Sequence, residues 1–220
     1  MTRTAYNLAE WLNIWNGLPC LILGRGKSTF DIPLVDIDAF RERGGKVIIL
    51  TELGNVKEYF ERADMWAFLD RPTITACEEA MKKFDGILWT QESVCRKTHP
   101  SKIGELSNAL LVRDNHQFNP DGTTLNGAST AFFATQLAWY AGCDPIWIAG
   151  VDLLVFNDGR THGDKQEPQA NYEHFQRMLL RQWPSFDNMA LWIGIHAFNR
   201  HVYKTSSYSI LPFETRSINE

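Results

Sequence analysis

Pro19-Cys20-Leu21-Ile22-Leu23-Gly24-Arg25-Gly26-Lys27-Ser28 is a short apolar run that ends in a turn rich in glycine and hydrogen-bond donors. Consecutive apolar residues without polar alternation fit a strand buried on both faces. The signature returns along the chain. Lys46–Thr51 is a second buried strand, behind the Gly44-Gly45 stop. Trp66–Asp70 reads as a third, with Pro72 forbidding continuation. Gly86–Gln91, Ala109–Val112, Pro145–Leu153 and Ala190–Ile195 follow, the sixth running out at Gly150 and Asp152. Helical spacing lies between them: a short helix or turn over 33–43, a helix from Thr75 to Phe84, an apolar helix from Ala131 to Tyr140, and another over 171–183. Thr75 with Glu78 forms a capping-box pattern, and Gly142 ends the apolar helix. Strands alternating with helices predict an α/β fold, a mostly parallel sheet with helices on both faces.

The chain has 220 residues, 44% hydrophobic and 22% charged, with a net charge of −4. That length suits one domain, taken as residues 1–220, and the composition excludes a disordered or fibrous chain. The mild acidity argues against a strongly basic nucleic-acid binder. No apolar run reaches the roughly 18 residues of a membrane span. The segment 1–16 lacks an apolar signal core; residues 5–16 put Leu8, Trp11, Leu12 and Trp15 at helical spacing. Cys20, Cys77, Cys95 and Cys143 form no CxxC pair and read as buried free thiols. A soluble cytoplasmic protein is expected. The eight Trp fall in predicted strands and helices and not in the polar loops, so they read as core residues. The loop 157–169 and the tail after His201 are expected to be the mobile parts.

In open parallel sheets, ligands bind at the carboxyl ends of the strands. The polar residues there are Gly24 to Ser28, Thr51-Glu52, Asp70, Asn126 to Ser129, and Asp152. In the first turn, Gly24 and Gly26 would let backbone N–H groups approach a phosphate, Lys27 adds charge and Ser28 a hydroxyl. The P-loop pattern would need glycine at position 21, which is Leu21, and the GxGxxG pattern at position 29, which is Thr29. Both named motifs fail, leaving a glycine turn that competes with an ordinary strand–helix connection. Asn126-Gly127-Ala128-Ser129 stands before the apolar helix, where N–H groups and the dipole favour an anion. Simple N-capping by Asn126 or Ser129 is the competing account. Asp152 can bind a sugar hydroxyl, hold a metal or fix a loop; Asp70 can do the same or cap a turn.

His162 lies in the polar loop after Asp152, and a histidine suits the removal of a proton from an attacking hydroxyl near neutral pH. His174, His196 and His201 are rivals, the last two as tail residues able to reach the same mouth. His99 and His116 have no organised context. No Gly-x-Ser-x-Gly elbow or HExxH spacing occurs, and Asp36-Ile37-Asp38 matches DxD only literally. No metal ligand set is expected.

The turn Gly24-Arg25-Gly26-Lys27-Ser28 resembles the G-x-G-P-S turn of the sialyltransferase-like proteins. That group includes bacterial lipooligosaccharide sialyltransferases, the archaeal hydroxymethylpterin diphosphokinase-like proteins and small phage proteins. The block Asn126–Thr130, apolar helix, Ala141-Gly-Cys-Asp-Pro-Ile-Trp-Ile-Ala-Gly-Val-Asp152 resembles the family's small-residue turn, helix and final strand. His162 and the segment Ala197–Phe213 also fit. Lys27 stands where the family has proline, Thr51-Glu52 where sialyltransferases place an asparagine, and no tyrosine closely follows Asp152. The donor is therefore open. The resemblance implies a single Rossmann-like domain that moves a sugar from a nucleotide-activated donor to an acceptor hydroxyl, on a glycan or a modified DNA base. No cofactor is obligatory, though Mg²⁺ is allowed. In that picture Gly24, Gly26, Lys27, Ser28, Thr51 and Asp70 lie against the nucleotide. Asn126, Gly127 and Ser129 stabilise the leaving phosphate, Asp152 holds the donor and His162 is the general base. No membrane insertion is implied, homo-oligomerisation is open, and the location would be the host cytoplasm for a phage protein. An ATP- and Mg²⁺-dependent pyrophosphokinase and a non-catalytic nucleotide-binding phage protein are the alternatives.

Overall fold

A computed structural model describes residues 12–91, 109–112, 129–153, 180, 183–191, 193–194 and 200–220. In chain order it contains β1 (Cys20–Leu23), α1 (Lys27–Phe30), α2 (Leu34–Glu42), β2 (Lys46–Leu50) and a 3-10 turn (Thr51–Asn55). Next come α3 (Lys57–Phe60), β3 (Met65–Ala67), α4 (Arg71–Lys83), β4 (Ile87–Gln91) and β5 (Ala109–Val112). The remaining elements are α5 (Thr130–Tyr140), β6 (Ile146–Ala149), β7 (Val202–Lys204) and β8 (Glu214–Thr215). The eight strands form one sheet in the order β5-β4-β3-β2-β1-β6-β7-β8, and every neighbouring pair is parallel. The chain thus builds outward from β1 to one edge, then returns to the other side of β1 with β6. The strand order reverses between these two strands.

The apolar run of β1 is buried along its whole length because both faces of the sheet are covered. Cys20 and Ile22 point to one side, with Ile48, Met65, Ala67, Ile146 and Ile148. There they meet Phe132, Phe133 and Leu137 of α5. Leu21 and Leu23 point to the other side, with Val47, Ile49, Trp66 and Trp147. Ile37 and Phe40 of α2 and Ile74, Cys77 and Met81 of α4 cover that face. The four-residue helices α1 and α3 are far shorter than an isolated helix needs, so tertiary packing holds them. Trp66, Trp89, Trp139 and Trp147 are core residues, and Trp15 and Trp183 pack against the core from its margin. Cys20, Cys77 and Cys143 are free and buried, as expected. Burial pushes the Cys20 thiol well up, and that of Cys77 to about 11.

Five expectations are corrected. The third strand stops at Ala67, and Pro72 is not a strand breaker but part of the first turn of α4. Its missing N–H is harmless there. The cap of that helix is Asp70, whose Oδ1 accepts from Thr73 N at 2.7 Å; Thr75 lies inside the helix and donates to Arg71 O. The described part of the stretch 190–195 is not a strand: residues 183–191 and 193–194 are helical. Trp183, Phe186, Met189 and Ile193 reach one core cluster at helical spacing, a period hidden within a short apolar run. The tail beyond His201 is not loose, since it supplies β7 and β8 and buries Leu211 and Ile218. His201 does not reach the carboxyl edge of the sheet. Its backbone carbonyl accepts Ile146 N at the amino end of β6, and its ring lies against Asp144. The lead-in helix falls mostly outside the described residues, where 12–17 form a turn. The loops 113–124 and 157–169, most of the predicted helix 171–183, and Cys95 also lie outside them.

Candidate functional site at the carboxyl edge of the sheet

The turn after β1 and the turn after β6 cross at the point where the strand order reverses. Gly24 N donates to Ala149 O at 2.8 Å and Gly26 N to Gly150 O at 2.7 Å. The crossing leaves no room for side chains on its inner side. A Cβ on Gly26 would stand 2.6 Å from Asp152 Oδ2. Gly150 has φ +66°, and a Cβ there would run into the carbonyl of Gly24. These glycines therefore serve the close approach of two backbone segments.

Ser28 and Asp152 lock the crossing. The Ser28 hydroxyl donates to Asp152 Oδ1, and Ser28 N donates to Oδ2 at 3.0 Å. The same hydroxyl oxygen accepts Gly150 N at 2.6 Å. Asp152 is only 2% exposed. Burial pushes its carboxyl above the usual range, against the pull of the two Ser28 hydrogen bonds. Thus 124 residues of sequence separate two groups that form one buried unit.

The outward side chains of the same turn behave differently. Arg25 pairs with Glu52, just beyond β2. Lys27 holds both oxygens of Asp31, at 2.8 and 2.7 Å, and lies 5.2 Å from the centre of the Tyr208 ring. The Tyr208 hydroxyl donates to Asp31 as well. Burial would raise the Asp31 carboxyl, but the hydrogen bonds from Lys27 and Tyr208 and the lysine charge outweigh it and hold it low. Burial and the Asp31 contact push the Tyr208 phenol up, so it stays a donor. Tyr208 arrives on a segment fastened over the crossing. Ser209 Oγ donates to Val151 O, Ile210 N donates to Asp152 O, and Lys204 Nζ reaches the carbonyls of Ser209 and Leu211.

The remaining site expectations separate clearly. Thr51 opens the 3-10 turn with φ +48°, and its carbonyl accepts the Trp66 indole N–H at 2.7 Å. Asp70 caps α4, and Ser129 caps α5 by accepting Phe132 N at 3.0 Å. Asn126, Gly127 and His162 lie outside the described residues. The structure brings together Gly24, Gly26, Lys27, Ser28 and Asp152. It adds Asp31 and Tyr208, to which no motif pointed, and it pairs Arg25 of the glycine turn with Glu52. Tyr208 had no local signal, because only the course of the tail brings it to the edge.

Among the described residues, no group of three or more His, Cys, Asp or Glu is placed to hold a metal ion. None of their helices is long and apolar enough to cross a membrane. No family model matches the chain, and no curated protein and no solved structure matches it.

Proposed function

We propose that this chain is a sialyltransferase-like, Rossmann-like glycosyltransferase that moves a sugar from a nucleotide-activated donor to an acceptor hydroxyl. The supporting observation is the meeting of the Gly24–Ser28 turn and Asp152 where the strand order reverses, the place where open α/β sheets take ligands. In this reading Gly24, Gly26, Ser28 and Asp152 hold the edge rigid, because their groups are already bonded to one another. In this reading the ligand contacts fall to Lys27, the Tyr208 hydroxyl and the start of α5, and to Asn126 and Gly127, which precede α5 in the sequence. An ammonium and oriented N–H groups stabilise the charge that develops on a departing phosphate.

The reaction needs one more group. The acceptor oxygen attacks the anomeric carbon, the bond from that carbon to the phosphate oxygen breaks, and the acceptor proton must leave. His162 is the base in this reading. Its replacement by alanine is expected to preserve nucleotide binding and to lower turnover by about 10²–10⁴.

A thermal-shift panel of CMP, UDP, ADP and ATP, each with and without Mg²⁺, tests the reading. Stabilisation by CMP or UDP without metal supports it. A shift confined to ATP with Mg²⁺ would replace it with a pyrophosphokinase. No shift with any nucleotide would leave a non-catalytic protein.

A further inference from the structure

Lys27 and Tyr208 already hold an anion, and it is part of the chain. The Lys27 ammonium donates to both oxygens of Asp31, at 2.8 and 2.7 Å, and the Tyr208 hydroxyl donates to Oδ2. An ammonium and a phenol O–H that converge on one oxygen form a donor set that suits a phosphate oxygen equally well. The two donors stand on mounts far apart in the sequence. Lys27 opens α1 beside the locked crossing, and Tyr208 precedes Ser209 and Ile210, which are fastened to Val151 and Asp152. Asp31 follows α1 directly and reaches back one turn to Lys27.

Donor counting sets this carboxylate and a ligand in competition. The Tyr208 phenol has one O–H, and Asp31 receives it. The phenol cannot give that hydrogen to a phosphate while Asp31 keeps it. Charge works in the same direction. Despite partial burial, the bonds from Lys27 and Tyr208 keep the Asp31 carboxyl below its usual range, so it is a full anion at neutral pH. It balances the Lys27 ammonium, and an arriving phosphate meets a neutral pair rather than a cation. The Lys27 and Asp31 side chains are 40% and 44% exposed, so the pair is weakly held and open to exchange.

We propose that Asp31 is an internal competitor at the phosphate position of this site, and that a nucleotide phosphate binds by displacing it from Lys27 and Tyr208. The inference rests on the proposed nucleotide site and adds a brake built into it. Without ligand, the chain's own carboxylate satisfies the two donors; a ligand releases them only by supplying an anion in its place. Removing Asp31 therefore strengthens binding, the opposite of what a residue that assists the ligand would show.

Calorimetric titration of the full chain with CMP, UDP, ADP and ATP tests it, with melting temperature as the folding control. Asp31→Ala is expected to bind at least one of these about two- to fivefold more tightly than the native chain, the range of an exposed ion pair that no longer has to be broken. In a Lys27→Met background the same substitution should bring no gain, because the contested donor is gone. Asp36→Asn removes one negative charge five residues further on, outside the Lys27–Asp31–Tyr208 contact, and should leave the affinities unchanged. Equal or weaker binding by Asp31→Ala overturns the competitor and leaves the nucleotide site standing. So does a gain that Asp36→Asn matches or that survives in the Lys27→Met background. No binding of any probe by the native chain or by Asp31→Ala overturns both.

Discussion

The inner and outer sides of one turn do opposite jobs. Gly24, Gly26 and Ser28 face the β6 turn, and their N–H groups are all taken by Ala149, Gly150 and Asp152. Arg25 and Lys27 face outward, to Glu52 and Asp31, in ion pairs that remain within reach of solvent. The crossing is thus a piece of core that happens to be polar, and the rim is a charged surface mounted on it. A motif that looks like a phosphate cradle divides into an inner half bonded to the β6 turn and an outer half of charged side chains. Backbone donors already bonded internally offer nothing to a ligand.

The comparison breaks most readily at Gly150. Gly150→Ala must place a side chain at φ +66° against the Gly24 carbonyl, and should cost about 3 kcal/mol or more in urea unfolding. A loss below about 1 kcal/mol would mean the two turns can separate without penalty.

Asp152→Asn is expected to cost about 1–3 kcal/mol at neutral pH, because its single amide oxygen cannot accept both the Ser28 N–H and the Ser28 hydroxyl as the two carboxylate oxygens do. Its pH dependence is more telling. The folded pKa of Asp152 lies above the unfolded one, so its contribution to stability is greatest below the unfolded value and is lost as pH rises through the folded one. The gap between native and variant stability should therefore narrow from acid toward neutral pH. A gap that widens would contradict the buried, desolvated carboxylate.

The smallest effect belongs to the rim and has the opposite sign. The Asp31 carboxyl is held low, so its stabilisation is present above the unfolded pKa and is lost as pH falls through the folded one. Asp31→Asn should cost about 0.5 kcal/mol near neutral pH, given its exposure, and nothing at strongly acid pH. Denaturation curves at several pH values would show whether the two carboxylates move stability in opposing directions.

Much of the architecture was legible because buried parallel strands leave a coarse signature. Runs of three to five apolar residues, most of them beside a glycine, marked β1, β2, β4, β5 and β6 at or near their observed limits. The same coarseness misled at 190–195, where a short apolar run cannot distinguish a strand from one face of a helix. It also misled at Pro72, which breaks strands but starts helices. The strands β7 and β8 were invisible, since three and two residues are too few to show a period. At the site, Ser28 and Asp152 were readable as strand-end residues, but their union was not. Tyr208, Asp31 and the Arg25–Glu52 pair belong to no local pattern.

Sequence alone determined the layered α/β character and the edge of the sheet at which to look, because burial on two faces and the ends of strands are local properties written in hydrophobic runs and glycines. Only the tertiary structure decided which residues meet there. Strand order places β6 beside β1, 122 residues apart at Ser28 and Gly150, and no spacing in the chain encodes that adjacency. The same packing turned the glycines from apparent ligand contacts into the clearance two backbones need, and carried Tyr208 from an unpatterned tail to the rim of the site.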